Sequence, residues 1–126
     1  MAGALAVVVV WQVRPWMRVR WIRAADVDSW LNEPELPVVA DIRSREEYQT
    51  GHIRTAVSVP LVRIPQMSRV WNPDQRIVLV CRSSYREIQA LAQLRRRGFR
   101  HVYCLSGGMV AWAQYRWRSV PPRCAP

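Results

Sequence analysis

Lysine is absent from this 126-residue chain, so all 19 of its basic residues are arginines. That absence reads as a coding bias toward arginine codons and carries no mechanism. Acids are scarce too, and 9 of them leave a formal charge of +10. A surface this basic attracts anions, whether small substrates, acidic partners or nucleic acid. Paired cysteines are missing. Three of them, at 81, 104 and 124, make an odd number without a C-x-x-C spacing, which argues against a disulfide framework and against a zinc site. Free thiols fit a reducing compartment, so a cytoplasmic location is expected. No apolar run reaches the ~20 residues of a membrane span. Ala2 to Val13 is apolar apart from Gln12, but it is too short, and no positive charge precedes it as in a secretory signal. No internal repeat is visible.

What is present is an ordinary globular composition, half apolar and 22% charged, at the length of one domain. Such a domain buries roughly two-thirds of its unfolded surface and needs no structural metal. Residues 1–17 read as an apolar and basic extension whose role the sequence leaves open. Residues 18–119 read as the domain, and the proline-rich 120–126 as a loose tail.

Within the domain, strand and helix signals alternate. Val27, Trp30 and Leu31 have helical spacing, and Val38 to Ala40 reads as a short buried strand ending at Asp41. Ser44 and Glu47 form an S-x-x-E capping box, so a helix starts at Ser44 and closes at Gly51. Ala56 to Val59 reads as a strand stopped by Pro60, and Leu61 to Asp74 as a loop with at most one helical turn. Ile77 to Val80 is the clearest buried strand. Ile88, Leu91, Ala92 and Leu94 carry a helix from about Ser84 to Arg97, ended by Gly98. Val102 to Leu105 is another strand, and Met109, Trp112 and Ala113 set a last helix. The order predicts an α/β domain with a mainly parallel, roughly five-stranded sheet flanked by helices. Ligands bind beyond the carboxyl ends of such strands, which places Asp41, Cys81 and the Ser106-Gly107-Gly108 turn on one rim.

The run Cys81-Arg82-Ser83-Ser84-Tyr85-Arg86 joins a buried strand to a helix start. A helix beginning there aims its unpaired amides and positive dipole end at the thiol. Successive loop amides form an anion-holding nest. Arg82 and Arg86 add positive charge, which favours thiolate over thiol.

Three blocks then resemble the rhodanese family of sulfurtransferases, over roughly residues 19 to 118. Asp41-Ile42-Arg43, Glu47-Tyr48, Gly51-His52-Ile53-Arg54-Thr55-Ala56 and Pro60 are similar to the family's D-x-R…E-[FY]-x-x-G-H-I-x-G-A…P signature. Cys81 to Arg86 resembles its C-R-x-G-x-R active-site loop, and Leu105-Ser106-Gly107-Gly108 with Trp112 its closing L-x-G-G-x-x-x-W. The resemblance implies a three-layer rhodanese-like fold and two-step covalent catalysis through a persulfide on Cys81. Arg82, Ser83, Ser84, Tyr85 and Arg86 would bind the substrate, with Asp41 and Glu87 in support. The implied partners are a small anionic sulfur donor and a thiol, cyanide or protein acceptor, with no metal or organic cofactor. Four residues separate Cys81 from Arg86. The related phosphatases and arsenate reductases have one more, so the count favours sulfur over phosphate or arsenate.

Ser84 and Thr55 stand where the family has glycine, and Glu87 where a serine or threonine hydroxyl is common. If residue 84 needs a positive φ, serine costs about 1–2 kcal/mol. Glu87 offers no donor and would repel an anion, so a catalytically weak binding or persulfide-carrier module is the alternative. Cys104 reads as structural, Cys124 as incidental, and His52 as a buttress of its turn. Arg95-Arg96-Arg97 with Arg100 reads as a solvated helix end that suits the dipole, a nucleic-acid contact there being the lesser reading.

Overall fold

A computed structural model describes residues 18–82 and 85–119, apart from the side chain of Tyr85. The extension 1–17, the tail 120–126 with Cys124, and the loop residues Ser83 and Ser84 lie outside the described residues.

Ile77, Val78, Leu79 and Val80 are all fully buried, as a strand covered on both faces must be. They form the central strand β4 of a five-stranded sheet, in which β1 is Trp21–Ile22, β2 Val38–Asp41, β3 Val57–Ser58 and β5 Val102–Leu105. The order is β1-β5-β4-β2-β3 and every pairing is parallel. Helices α1 (Ala24–Trp30), α2 (Arg45–Thr50), α3 (Ile64–Met67) and α4 (Tyr85–Arg96) lie between the strands, with a 3₁₀ turn at Leu61–Arg63, and α5 (Gly108–Ser119) follows β5.

The two-residue alternation of β4 sorts the core into two layers. Ile77, Leu79 and Cys81 face Ile64, Ala90, Leu91 and Leu94 of α3 and α4. Val78 and Val80 face Val27 of α1 and Trp112 of α5. The parallel five-stranded α/β sheet is therefore the one the strand and helix order predicts, and its three layers are those the resemblance implies.

Three local expectations need correction. The strand expected over Ala56–Val59 is only Val57–Ser58. Ala56 spends its amide on the Ile53 carbonyl in the preceding turn, and Pro60 brings no N–H to extend the ladder. Ile88, expected on the buried face of α4, is 40% exposed. Glu87, Ala90, Leu91 and Leu94 are the buried positions instead, a helical i, i+3, i+4, i+7 stripe in which a carboxylate takes the first place. Ala113 of α5 is exposed rather than inward.

The capping box at Ser44 forms, its Oγ accepting from the Glu47 amide at 3.2 Å. Thr55 adopts φ +70°. A β-branched residue there holds about 1–2 kcal/mol of strain that glycine would not.

Candidate active site

The chain adds β3 on one side of β2 and β4 on the other, so the switch point of the sheet lies between β2 and β4. Asp41 sits opposite Val80 in the register, which sets Asp41 and Cys81 side by side at the carboxyl rim. The Ser106-Gly107-Gly108 turn follows β5 to the same rim. Asp41, Cys81 and this turn therefore share one rim of the sheet.

Cys81 is a free thiol, 3% exposed. Its carbonyl oxygen accepts from the Met109 amide at 2.9 Å, which ties the loop after β4 to the start of α5. Gly108, at φ +57°, makes that approach possible. A Cβ there would press into the Cys81 carbonyl oxygen and stand 2.7 Å from that of Arg82.

Asp41 is fully buried. Its carboxylate accepts from Arg43 Nε at 2.9 Å and from a terminal guanidinium nitrogen at 2.7 Å, and the latter also donates to the Gly51 carbonyl. Both side chains are buried. The Asp41 hydrogen bond holds Arg43 further above its ordinary pKa, against the pull of burial, with smaller support from Glu47 and from Cys81. Arg43 is thus a fixed cation just past the end of β2, and the sequence reading did not name it among the candidate site residues. Its signal was the D-x-R pattern itself, read there only as part of a signature.

Arg43 and Arg82 line one groove of about 500 Å³ with Glu47, Thr50, Met109, Val110, Ala113 and Gln114. Glu47 brings a negative charge to it. The Ser44 hydroxyl hydrogen bond lowers its pKa first, helped by the charges of Arg43 and Arg82. The α5 residues of this groove carry no chemical signature in sequence, since only the packing of α5 against the loop gathers them. Arg86 is exposed on the first turn of α4.

Glu87 is fully buried, and one carboxylate oxygen accepts from the Cys81 amide at 3.0 Å. Its other oxygen is buried without a partner among the described groups. Burial pushes its pKa up to about 7, the Cys81 amide opposing only in part. The sequence reading took Glu87 as a charged carboxylate with no proton to donate. It is an inward acid that holds a proton below neutrality.

In the unfolded chain this carboxyl returns to its ordinary range near 4.5. The folded state therefore binds the proton more tightly, and its stability falls as pH rises from about 4.5 through 7. Between pH 5 and pH 8 the loss expected from Glu87 is about 2–3 kcal/mol. Urea midpoints of the wild type at the two pH values should differ accordingly. Glu87→Gln keeps an acceptor for the Cys81 amide and should lack this component of the slope; equal slopes in the two proteins would contradict it.

Cys104 is buried in the core, its pKa pushed up to about 12 by burial first and by the charge of Glu87 second. It is an inert packing thiol. His52 donates from Nδ1 to the Tyr48 carbonyl at 2.8 Å and stacks on the Tyr48 ring, buttressing its turn.

No described helix is long and apolar enough to cross a membrane. The family model described as the rhodanese-like domain matches residues 23–115. The Alr3790 protein of Anabaena superposes with a TM-score of 0.70 at 29% identity, over 75% of this chain and 77% of that one. A rhodanese-like domain protein of Staphylococcus aureus gives 0.68 at 26%, over 75% and 91%. The tRNA uridine(34) hydroxylase of Salmonella paratyphi B is 31% identical over 111 residues, which cover 82% of this chain and 31% of that protein. The chain thus spans about a third of the length of that curated relative. A five-stranded parallel sheet, a thiol at the end of its central strand and a match over most of the domain agree: the chain belongs to the rhodanese-like domain family.

Proposed function

We propose that the domain is a sulfurtransferase with Cys81 as its nucleophile. The observation that carries this reading is the position of Cys81: a free thiol at the carboxyl end of β4, its carbonyl clamped by the α5 amide, beside the Arg43 and Arg82 groove. The Cys81 thiolate attacks the outer sulfur of a donor such as thiosulfate. The donor's S–S bond breaks and sulfite leaves with the electron pair, so a persulfide remains on Cys81. An acceptor, cyanide or a thiolate of a small molecule or protein, then attacks the terminal sulfur and returns the Cys81 thiolate. Arg82 and Arg86 offer charge to the anionic donor, and Ser83, Ser84 and Tyr85 are the other residues this reading assigns to donor binding. Asp41 acts at a distance by fixing Arg43.

A second reading, a persulfide carrier that serves a dedicated acceptor, is favoured by Glu87. The Cys81 amide is already committed to that carboxylate and is lost to the anion cradle. The Salmonella relative is named for an action on tRNA, and sulfur delivery to a tRNA-modifying system is one form this reading takes. Intact mass after thiosulfate should show the gain of one sulfur atom, localised to Cys81 by peptide mapping, with thiocyanate released on adding cyanide. A persulfide without thiocyanate turnover assigns the carrier. No adduct from thiosulfate, mercaptopyruvate or a persulfide donor overturns both readings.

A further inference from the structure

Glu87 is the only acid of α4, and the sulfur-transfer steps make no use of it. Its carboxyl lies directly against the reacting residue: one oxygen accepts from the Cys81 amide at 3.0 Å. The other oxygen is buried with no partner among the described groups. No ion pair holds the carboxyl among the described residues. An acid in the first turn of a helix ordinarily faces water and gains from the helix dipole there. This one turns inward, to the amide at the end of the preceding strand.

The ionisable groups on the elements around it can be named. The end of β4 brings the Cys81 amide and thiol. From β5 comes Cys104, whose thiol burial pushes up to about 12, so it stays neutral. Helix α3 carries no ionisable side chain. Arg63 of the 3₁₀ turn is exposed and lines a groove with Arg45 and Tyr48. Arg43, past the end of β2, is committed to Asp41 and to the Gly51 carbonyl. Arg82 of the loop and Arg86 of the same helix are exposed. Burial therefore dominates, and a carboxyl pushed up to about 7 changes charge in the neutral range. Glu47, the acid of the Arg43 and Arg82 groove, behaves differently. The Ser44 hydroxyl holds it below its ordinary range, so it stays ionised there.

The charge of Glu87 is felt where the donor reacts. The attacking sulfur belongs to the residue whose amide the carboxyl holds, so a donor sulfur in line for attack lies within about 10 Å. Salt screens a buried charge of this kind only weakly. At an effective dielectric of about 20, each further negative charge on the donor then weakens its approach about tenfold. A protonated carboxyl exerts no such repulsion. We propose that Glu87 is the specificity-determining residue for donor charge: protonated, it lets the Cys81 loop accept a dianion, and ionised, it favours donors of lower charge. This inference rests on the sulfurtransferase reading. Thiosulfate is the dianionic donor, and methanethiosulfonate is a monoanion with the same sulfur chemistry. The Cys81 thiolate attacks the terminal sulfur of the latter, the S–S bond breaks, and methanesulfinate leaves with the electron pair. The persulfide on Cys81 is the same from either donor.

The test is the second-order rate constant of persulfide formation on the full chain, followed by quenched intact mass, with each donor from about pH 5.5 to 8.5. Both donors keep their charge across that range. The ratio of the two constants also cancels the ionisation of the attacking thiol and the fraction of folded protein, which both reactions share. In the wild type the ratio of thiosulfate to methanethiosulfonate should fall about tenfold as pH rises through about 7. In Glu87→Gln, which keeps an acceptor for the Cys81 amide, the ratio should stay near the low-pH value of the wild type at every pH. An equal fall in Glu87→Gln would assign the titration to another group and overturn the inference. A constant ratio in the wild type would overturn it too, and that result needs no variant to fold. In both cases the persulfide still forms, and the sulfurtransferase reading stands. Persulfide from neither donor at any pH would overturn that reading and this inference with it.

Discussion

Cys81→Ala is expected to take up no sulfur from thiosulfate and to lose thiocyanate formation by about a thousandfold or more. The size of the effect follows from the chemistry. Without the sulfur no persulfide forms, and what survives is whatever acceleration donor binding alone provides; removal of the nucleophile from other covalent enzymes costs this much or more. The variant should fold. Cys81 packs in the α3 and α4 layer with Leu79 and Leu91, and loss of one buried sulfur there costs about 1–2 kcal/mol. A collapse in melting temperature would make the activity loss uninformative, and Cys81→Ser, nearly the same shape, then separates the two causes. Full turnover by either variant would remove Cys81 from the mechanism. Cys104, buried and with its thiol held protonated, cannot take over, so Cys104→Ala should leave the adduct in place.

Gly108→Ala is expected to destabilise the domain by about 2–5 kcal/mol and to lower sulfur uptake more steeply than its effect on folding explains. Two costs combine. The residue sits at φ +57°, where a side chain costs about 1–2 kcal/mol. The new methyl would also meet the carbonyl oxygens of Cys81 and Arg82. These are backbone atoms that no rotamer change moves aside, and overpacking of this kind costs about 1–3 kcal/mol more. The strain is relieved only if the Cys81 loop withdraws from α5, which breaks the 2.9 Å bond from the Met109 amide. Chemical denaturation and the rate of persulfide formation at a temperature where the variant is fully folded measure the two effects separately. An unchanged rate in folded protein would show that the clamp serves stability alone.

The parts of the fold legible in sequence are those fixed by local pattern. The run Ile77 to Val80 announces a central strand by its own composition, and Ser44 with Glu47 announces a helix start. The rim followed from topology, because strands alternating with helices leave one end of the sheet to the loops. Arg43 escaped because its place in one groove with Arg82 depends on β2 lying next to β4 in register, a pairing across nearly forty residues of chain that no local window contains. Glu87 was named as a supporting residue, but its burial escaped for a different reason. Helix phase is read by assigning charged residues to solvent, so the stripe was anchored on Ile88 and shifted by one residue. The true stripe begins with an acid, buried because the Cys81 amide needs a partner once its strand ends. Two-residue strands such as β1 have too little sequence to show any period.

The short outer strands have a consequence for how the protein behaves in a crowded solution. The most β-prone strand among the described residues, Ile77 to Val80, is the innermost one, helix-covered above and below. The edges that a neighbouring molecule could zip onto are only two residues long on either side, too little ladder to template a foreign strand. Fraying at β1 or β3 uncovers little that is sticky. To expose the dangerous segment the sheet must lose both neighbours of β4 and its helical cover together, which is the cooperative unfolding of the whole domain. Resistance to self-association is thereby tied to global stability.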